Sequence, residues 1–340
     1  MFLGARVMIR TMFGEPLPDA PEFESGRIAG DDLVQQARDR ARQGDWQAAR
    51  YALVDAGDDW EVRGRRVDVL SEAAAEDDRW LTAWLRDAPS DPGAVLLEAA
   101  QLNQRAWTAR GGASAANTSP EQFRDFARLS SAAAEVGRQA MALAGPDDPV
   151  PWAEMLSTMY ASRSVYETSF GEVFAEGRRR DPVNFGLHHA AVGLRCAKWY
   201  GSHDLMFATA REVAGAAPPG AAAVLLPLSA HFQYALREFA WGTDRDRSRK
   251  LVRRYFREPE VRREVDGWAA RWQAGTPGPA RLGTCRQWLA VYYTLLGLRP
   301  EAKAQFDALG THVRPATVWS WFWGERRYGY LRSWWWANGV

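Results

Sequence analysis

Between Leu289 and Leu309 the residues Leu289, Tyr293, Gly297, Ala302, Phe306 and Leu309 follow one another at intervals of 4, 4, 5, 4 and 3. Intervals of three and four place side chains on one face of an α-helix, and Gly297 with Pro300 breaks the run in two. Large residues on facing stripes, with small ones where backbones approach, are what an antiparallel helix pair needs. No other stretch limits the fold so tightly, and it points to helices packed in pairs.

Helix starts are legible along the rest of the chain. Asp31 and Asp32 precede Leu33, Val34, Ala37 and Ala41 at helical spacing, and Gly44-Asp45 separates that helix from a partner carrying Trp46, Ala49 and Leu53. Asp91-Pro92 puts a capping carboxylate before a proline at the first helical position. Ser119-Pro120-Glu121-Gln122 reads as a capping box. Asp148-Pro149 and Asp181-Pro182 repeat the device before Trp152 and Phe185. Stops occur at Gly111-Gly112, Gly145-Pro146, Gly201, Pro218-Pro219-Gly220, Gly275 to Pro279 and Gly310. The signals predict about fourteen helices joined by short turns, and no alternation suggests a sheet. Residues 1–30, with three prolines and no sustained period, read as an N-terminal arm. Helical repeats are expected over 31–217, and further repeats with a tryptophan-rich cap over 218–340.

Composition narrows the class. The chain has 340 residues, 46% hydrophobic and 25% charged, enough for a sizeable core. A net charge of +1 removes the whole-chain argument for nucleic acid, which is not expected as a partner. Charge is nevertheless uneven: nine acidic residues lie between Asp55 and Asp78, and nine basic ones between Arg245 and Arg263. Such fields steer partners or belong simply to solvated helix faces. Cys196 and Cys285 lie in apolar patterns read as helical, which argues against a disulfide framework and for a reducing cytoplasm. Arg6 and Arg10 interrupt any signal-peptide core, and no apolar run reaches 18 residues, so no membrane association is expected.

The 289–309 spacing resembles the second half of a tetratricopeptide repeat, in which Gly closes one helix while Ala and an aromatic residue line the next. Two phrases extend the likeness. Ala106-Trp107-Thr108-Ala109-Arg110-Gly111-Gly112, followed by Asn117-Thr118, resembles the W-x-x-R-G phrase of a bacterial family of tetratricopeptide-like proteins of unknown function. Lys198-Trp199-Tyr200-Gly201-Ser202 with Met206 is similar to that family's W-G-G-S phrase, with Tyr200 where the family has Gly. With Pro149-Val150-Pro151-Trp152, the likeness spans about 95–215. It implies an all-α fold, a superhelix of tetratricopeptide-like antiparallel helix pairs, and no particular reaction. On physical grounds Gly201 would take a positive φ at a corner, Ser202 would cap the next helix, and Trp199 would pack beneath. Arg110 would cap its own helix carbonyls or face an anion.

Motifs for chemistry are sparse. His188, His189, Cys196 and His203 are the one group resembling metal ligands; His189 and Cys196 would share a helix face, but paired C-x-x-C spacing is absent, so interior histidines are expected and no metal or cofactor. Nucleophile elbow, H-E-x-x-H and phosphate-loop motifs are missing. The acidic pairs in Gly57-Asp58-Asp59-Trp60 and Glu76-Asp77-Asp78-Arg79 lack D-D-x-x-D spacing and read as caps.

The tail gathers six of seventeen tryptophans into residues 319–336, with Phe322, Tyr328 and Tyr330, and interleaves Arg326, Arg327 and Arg332. So apolar a run must cover the last repeat, join a second copy or line a ligand groove; rings beside arginines also suit a single strand of nucleic acid or a sugar phosphate.

The leading expectation is a binding or scaffold protein that holds a peptide or protein segment in the groove of the superhelix, engaged by Trp107, Arg110, Asn117, His188, Lys198, Trp199 and His203. The alternative is an all-helical enzyme with an aromatic-lined cavity acting on a prenyl diphosphate or another biosynthetic intermediate. A third reading is self-association through the tryptophan-rich tail.

Overall fold

A computed structural model describes residues 20–23, 30–112, 117–241 and 245–340. Among them, seventeen α-helices account for nearly all regular structure, and the one β-type contact is an isolated bridge between Glu22 and His312. The fold is all-α. Contacts divide the chain into two compact units, one running from Asp31 to Pro218 and the other comprising Pro219–Val340 and the described residues before Asp31.

The first unit holds α1 (Asp32–Arg42), α2 (Trp46–Asp55), α3 (Trp60–Glu76), α4 (Arg79–Asp87), α5 (Pro92–Arg110), α6 (Pro120–Leu143), α7 (Val150–Thr158), α8 (Arg163–Arg180), α9 (Phe185–Leu194) and α10 (His203–Ala216). Its caps largely follow the sequence. Asp31, Asp45 and Asp59 accept from the backbone N–H groups of Val34, Ala48 and Val62, and Ser119 with Gln122 closes both arms of a capping box. Asp148 and Asp181 are the exceptions: Pro149 holds the N-cap position of α7, with Asp148 before it accepting from Val150 at 2.9 Å, and α9 starts farther still from Asp181. Asp181 accepts from Val183 within a turn, and Asn184 caps α9 by accepting from Leu187, because Pro182 sits in that turn three residues before the helix begins.

Arg66 fastens the first three helices together. Its guanidinium donates to Asp31 at 2.8 Å, Asp55 at 2.9 Å and the Ala52 carbonyl at 2.6 Å, and these partners hold its pKa above the ordinary value against the opposing effect of burial. Both acidic pairs serve local roles: Asp59 caps α3, Asp77 pairs with Arg79 and its pKa falls to about 2, and Asp78 accepts from Gln101 and Arg105.

The second unit holds α11 (Leu226–Ala235), continued by a π-helical turn at Leu236–Ala240, then α12 (Arg245–Arg257), α13 (Pro259–Gln273), α14 (Pro279–Leu296), α15 (Arg299–Leu309), α16 (Val318–Trp323) and α17 (Arg326–Ala337). The 289–309 run forms α14 and α15. Gly297 ends α14 at φ 83°, where an L side chain is strained, and its N–H returns to the Tyr293 carbonyl at 3.0 Å. Leu289, Ala302 and Phe306 are fully buried.

The tail covers this pair: Trp319 stacks on Phe306 at 5.9 Å, Tyr330 meets Phe306 edge-on at 5.1 Å, and the Trp319 indole N–H donates to Gln287 at 3.1 Å. Most of the expected arm lies outside the described residues. Its described part is tied down, with the Glu22 N–H donating to the Thr311 carbonyl at 2.7 Å and Phe23 packing edge-on against Tyr330.

Candidate functional site

Four of the residues singled out by sequence meet at one corner of the first unit. Helix α5 ends where Gly111 takes φ 70° and its N–H bonds the Trp107 carbonyl, which leaves Trp107 and Arg110 on the last turn. Helix α6 starts beside them, and Gln122 of its capping box donates to the Arg110 carbonyl at 3.4 Å. The turn after α7, Met159–Ala161, brings up Tyr160, and the turn at residues 195–200 brings up Lys198 and Trp199.

The rings interlock: Trp107 lies 5.3 Å from Tyr160, 6.0 Å from Trp199 and 5.0 Å from the buried Phe126, and Tyr160 lies 5.0 Å from Trp199. Most are edge-to-face contacts, the arrangement favoured by the ring quadrupole. Trp107, Tyr160 and Trp199 are half-buried, with the Tyr160 hydroxyl enclosed.

Two glycines make this corner possible. A Cβ on Gly193 would stand 2.0 Å from the Tyr160 hydroxyl, which donates to the Ala190 carbonyl at 3.1 Å. A Cβ on Gly201 would stand 2.1 Å from the Arg195 carbonyl. Gly201 is thus required by close approach of the backbone, and the positive φ expected from the sequence is not adopted. Ser202 does cap α10, accepting from Leu205 at 3.1 Å.

Charge at the corner is positive. The Arg110 guanidinium is buried, donates to the Gly111 carbonyl at 3.2 Å and lies 5.5 Å over the Phe123 ring; burial lowers its pKa. Although Lys198 is half-exposed as a residue, its ammonium is enclosed, and that enclosure lowers its pKa, with the positive charge of Arg110 adding to the effect and Cys196 opposing it. Burial raises the Cys196 thiol, against the pull of Lys198, and keeps the Tyr160 phenol firmly protonated. Enclosed cations beside ring faces suit an anionic or carbonyl-rich group bound between aromatic walls.

The other sequence choices lie elsewhere or contribute differently. His188 is 2% exposed, donates from Nδ1 to the Asn184 carbonyl at 2.8 Å and packs edge-on against Phe174, so it faces the interior. Its pKa is lowered chiefly by burial. Asn117 is exposed just before α6, and His203 opens α10 beyond Ser202. The expectation that His189 and Cys196 share a helix face does not hold, since α9 ends at Leu194 and Cys196 sits in the following turn. Among the described residues no three His, Cys, Asp or Glu side chains converge as metal ligands, and no helix is long and apolar enough to cross a membrane.

Sequence reasoning missed Tyr160, Phe126 and Gly193. Phe126 shares a helical stripe with Ser130, Ala133 and Gly137 and was recoverable from period alone. Tyr160 falls on a short 3₁₀ turn with no periodic signal, and Gly193 matters only because Tyr160 arrives there. The chain matches no known family, no curated protein and no solved structure.

Proposed function

We propose that the chain is a binding protein whose corner at Trp107, Tyr160 and Trp199 engages a peptide or protein segment, with Arg110 and Lys198 meeting its carbonyl or carboxylate groups. The antiparallel helices of the first unit are read as diverged tetratricopeptide-like pairs, with the corner on their accessible face. One observation carries the reading: half-buried rings and enclosed cations from three separate chain segments converge at a single place. Interfaces draw their energy from such aromatic and arginine anchors. The enzyme reading loses support because Asp59, Asp77 and Asp78 are engaged in caps and ion pairs and so are not gathered for diphosphate chemistry.

A displayed random-peptide library panned on the full chain tests this. Selected peptides are expected to bind Arg110→Gln and Trp199→Ala at least about ten-fold more weakly, with helicity by circular dichroism unchanged. If every loss of binding comes with a matching loss of helicity, the corner is structural and the proposal fails.

A further inference from the structure

Helix α12 buries Ser248, Val252, Tyr255 and Phe256 on one face. Along the flank of that face Arg249, Arg253 and Arg257 recur every four residues and form a row. Arg332 of α17 lies within electrostatic range of both Arg253 and Asp246. Among the described residues Asp246, on the same helix, pairs with Arg249.

Three of the four guanidinium groups are held in place. Arg249 has Asp246, Arg257 donates to the Leu296 carbonyl at 3.1 Å, and Arg332 donates to the Tyr328 hydroxyl at 2.9 Å while lying 6.0 Å over that ring. Arg253 stands between them. Among the described residues it makes neither a hydrogen bond nor an ion pair, and each charge acting on it is another arginine: Arg257, Arg249 and Arg332. Although the residue is exposed, crowding of its guanidinium and these like charges lower its pKa. Like charges one helical turn apart destabilise a helix, so Arg253 is held against the electrostatics of its neighbours. A side chain that opposes stability while its neighbours are tethered around it marks a functional position.

We propose that Arg253, with Arg249, Arg257 and Arg332, binds a phosphomonoester or diphosphate group. Guanidinium forks match phosphate oxygens two at a time, and an anion bearing two or more charges satisfies several forks together, which a single carboxylate does not. The tethers on Arg249, Arg257 and Arg332 reduce the ordering cost of binding. The phosphate comes from a soluble metabolite or from a lipid headgroup, which present the same group to these side chains. This site belongs to the second unit and is independent of the peptide-binding proposal.

Isothermal titration of the full chain with inorganic pyrophosphate, at about 0.1 M salt so that distant charges are screened, is the test. Saturable binding is expected, weakened at least about ten-fold in Arg253→Gln and in Arg332→Gln, and changed less than about two-fold in Arg254→Gln on the outward face. Thermal unfolding supplies a second readout. Without ligand Arg253→Gln should melt higher than the native chain, and pyrophosphate should raise the melting point of the native chain but not of the variant. The proposal is overturned if pyrophosphate shows no saturable binding, if Arg254→Gln loses as much as Arg253→Gln, or if Arg253→Gln destabilises the ligand-free protein. Binding of a single-stranded oligonucleotide without binding of pyrophosphate also overturns it. Once pyrophosphate binding is established, co-sedimentation with vesicles containing a phosphorylated inositol lipid assigns the phosphate to a headgroup, and its failure assigns it to a soluble ligand; either supports the site.

Discussion

Two knots of three aromatic rings, one in each unit, differ in a single respect. Phe306, Trp319 and Tyr330 touch one another at 5.1 to 5.9 Å and are at most 1% exposed. Trp107, Tyr160 and Trp199 touch at 5.0 to 6.0 Å, yet each keeps part of its surface open. Ring geometry is alike, so ring–ring attraction does not distinguish them. What differs is the rest of each surface: the first knot is sealed by α14, α16 and the Gln287 amide, whereas the second carries Lys198 and Arg110, whose charged forms are disfavoured by burial. A closed knot spends its area on stability. An open one with desolvated cations gives some of that stability up.

The largest effect should come from the closed knot. Phe306→Ala deletes a fully buried ring and should cost about 3–5 kcal/mol in urea unfolding. Trp199→Ala removes a half-buried ring and edge contacts worth about 0.5–1.5 kcal/mol each, so its loss of stability should be distinctly smaller. Equal losses would erase the distinction. Next in size is Gly193→Ala, where the added methyl must displace the Tyr160 hydroxyl and should cost about 1–3 kcal/mol by the same measurement. Gly171→Ala, on α8 with open space around its Cβ position, is the control and should stabilise by about 0.5–1 kcal/mol.

The closed knot was far more legible in the sequence than the open corner. Gly297, Ala302 and Phe306 are set by helical period and by the need for a left-handed residue at a helix end, both local properties. Trp107 and Trp199 were found through short phrases around Gly111 and Gly201, which mark where helices stop. Tyr160 was invisible because its role depends on the turn after α7 arriving beside α9 at Gly193, a long-range coincidence with no local trace. His188 looked like a site residue for the converse reason: a histidine in an apolar helix has the same sequence signature whether its ring faces solvent or is enclosed with its N–H on a backbone carbonyl. The Asp181 cap failed similarly, since Asp-Pro opens a turn as readily as a helix, and Asn184 alone decides which.

His188 gives the smallest effect and the finest division between interior and surface. Burial disfavours its imidazolium, so its pKa in the folded chain lies below the unfolded value of about 6.5. The unfolded chain therefore binds the proton more readily, and stability rises with pH across the interval between the two values. Above about pH 6.5 both states hold the neutral ring and the contribution is complete. As pH falls below that value the unfolded state is protonated first, and stability is lost at up to about 1.4 kcal/mol per pH unit until the folded pKa is reached. The difference in melting point between the native chain and His188→Gln should be flat from pH 8 to about 6.5 and should shift toward the variant at lower pH. A solvated imidazole keeps its ordinary pKa and gives no such shift, so a difference that stays flat at lower pH would show that solvent reaches the His188 ring.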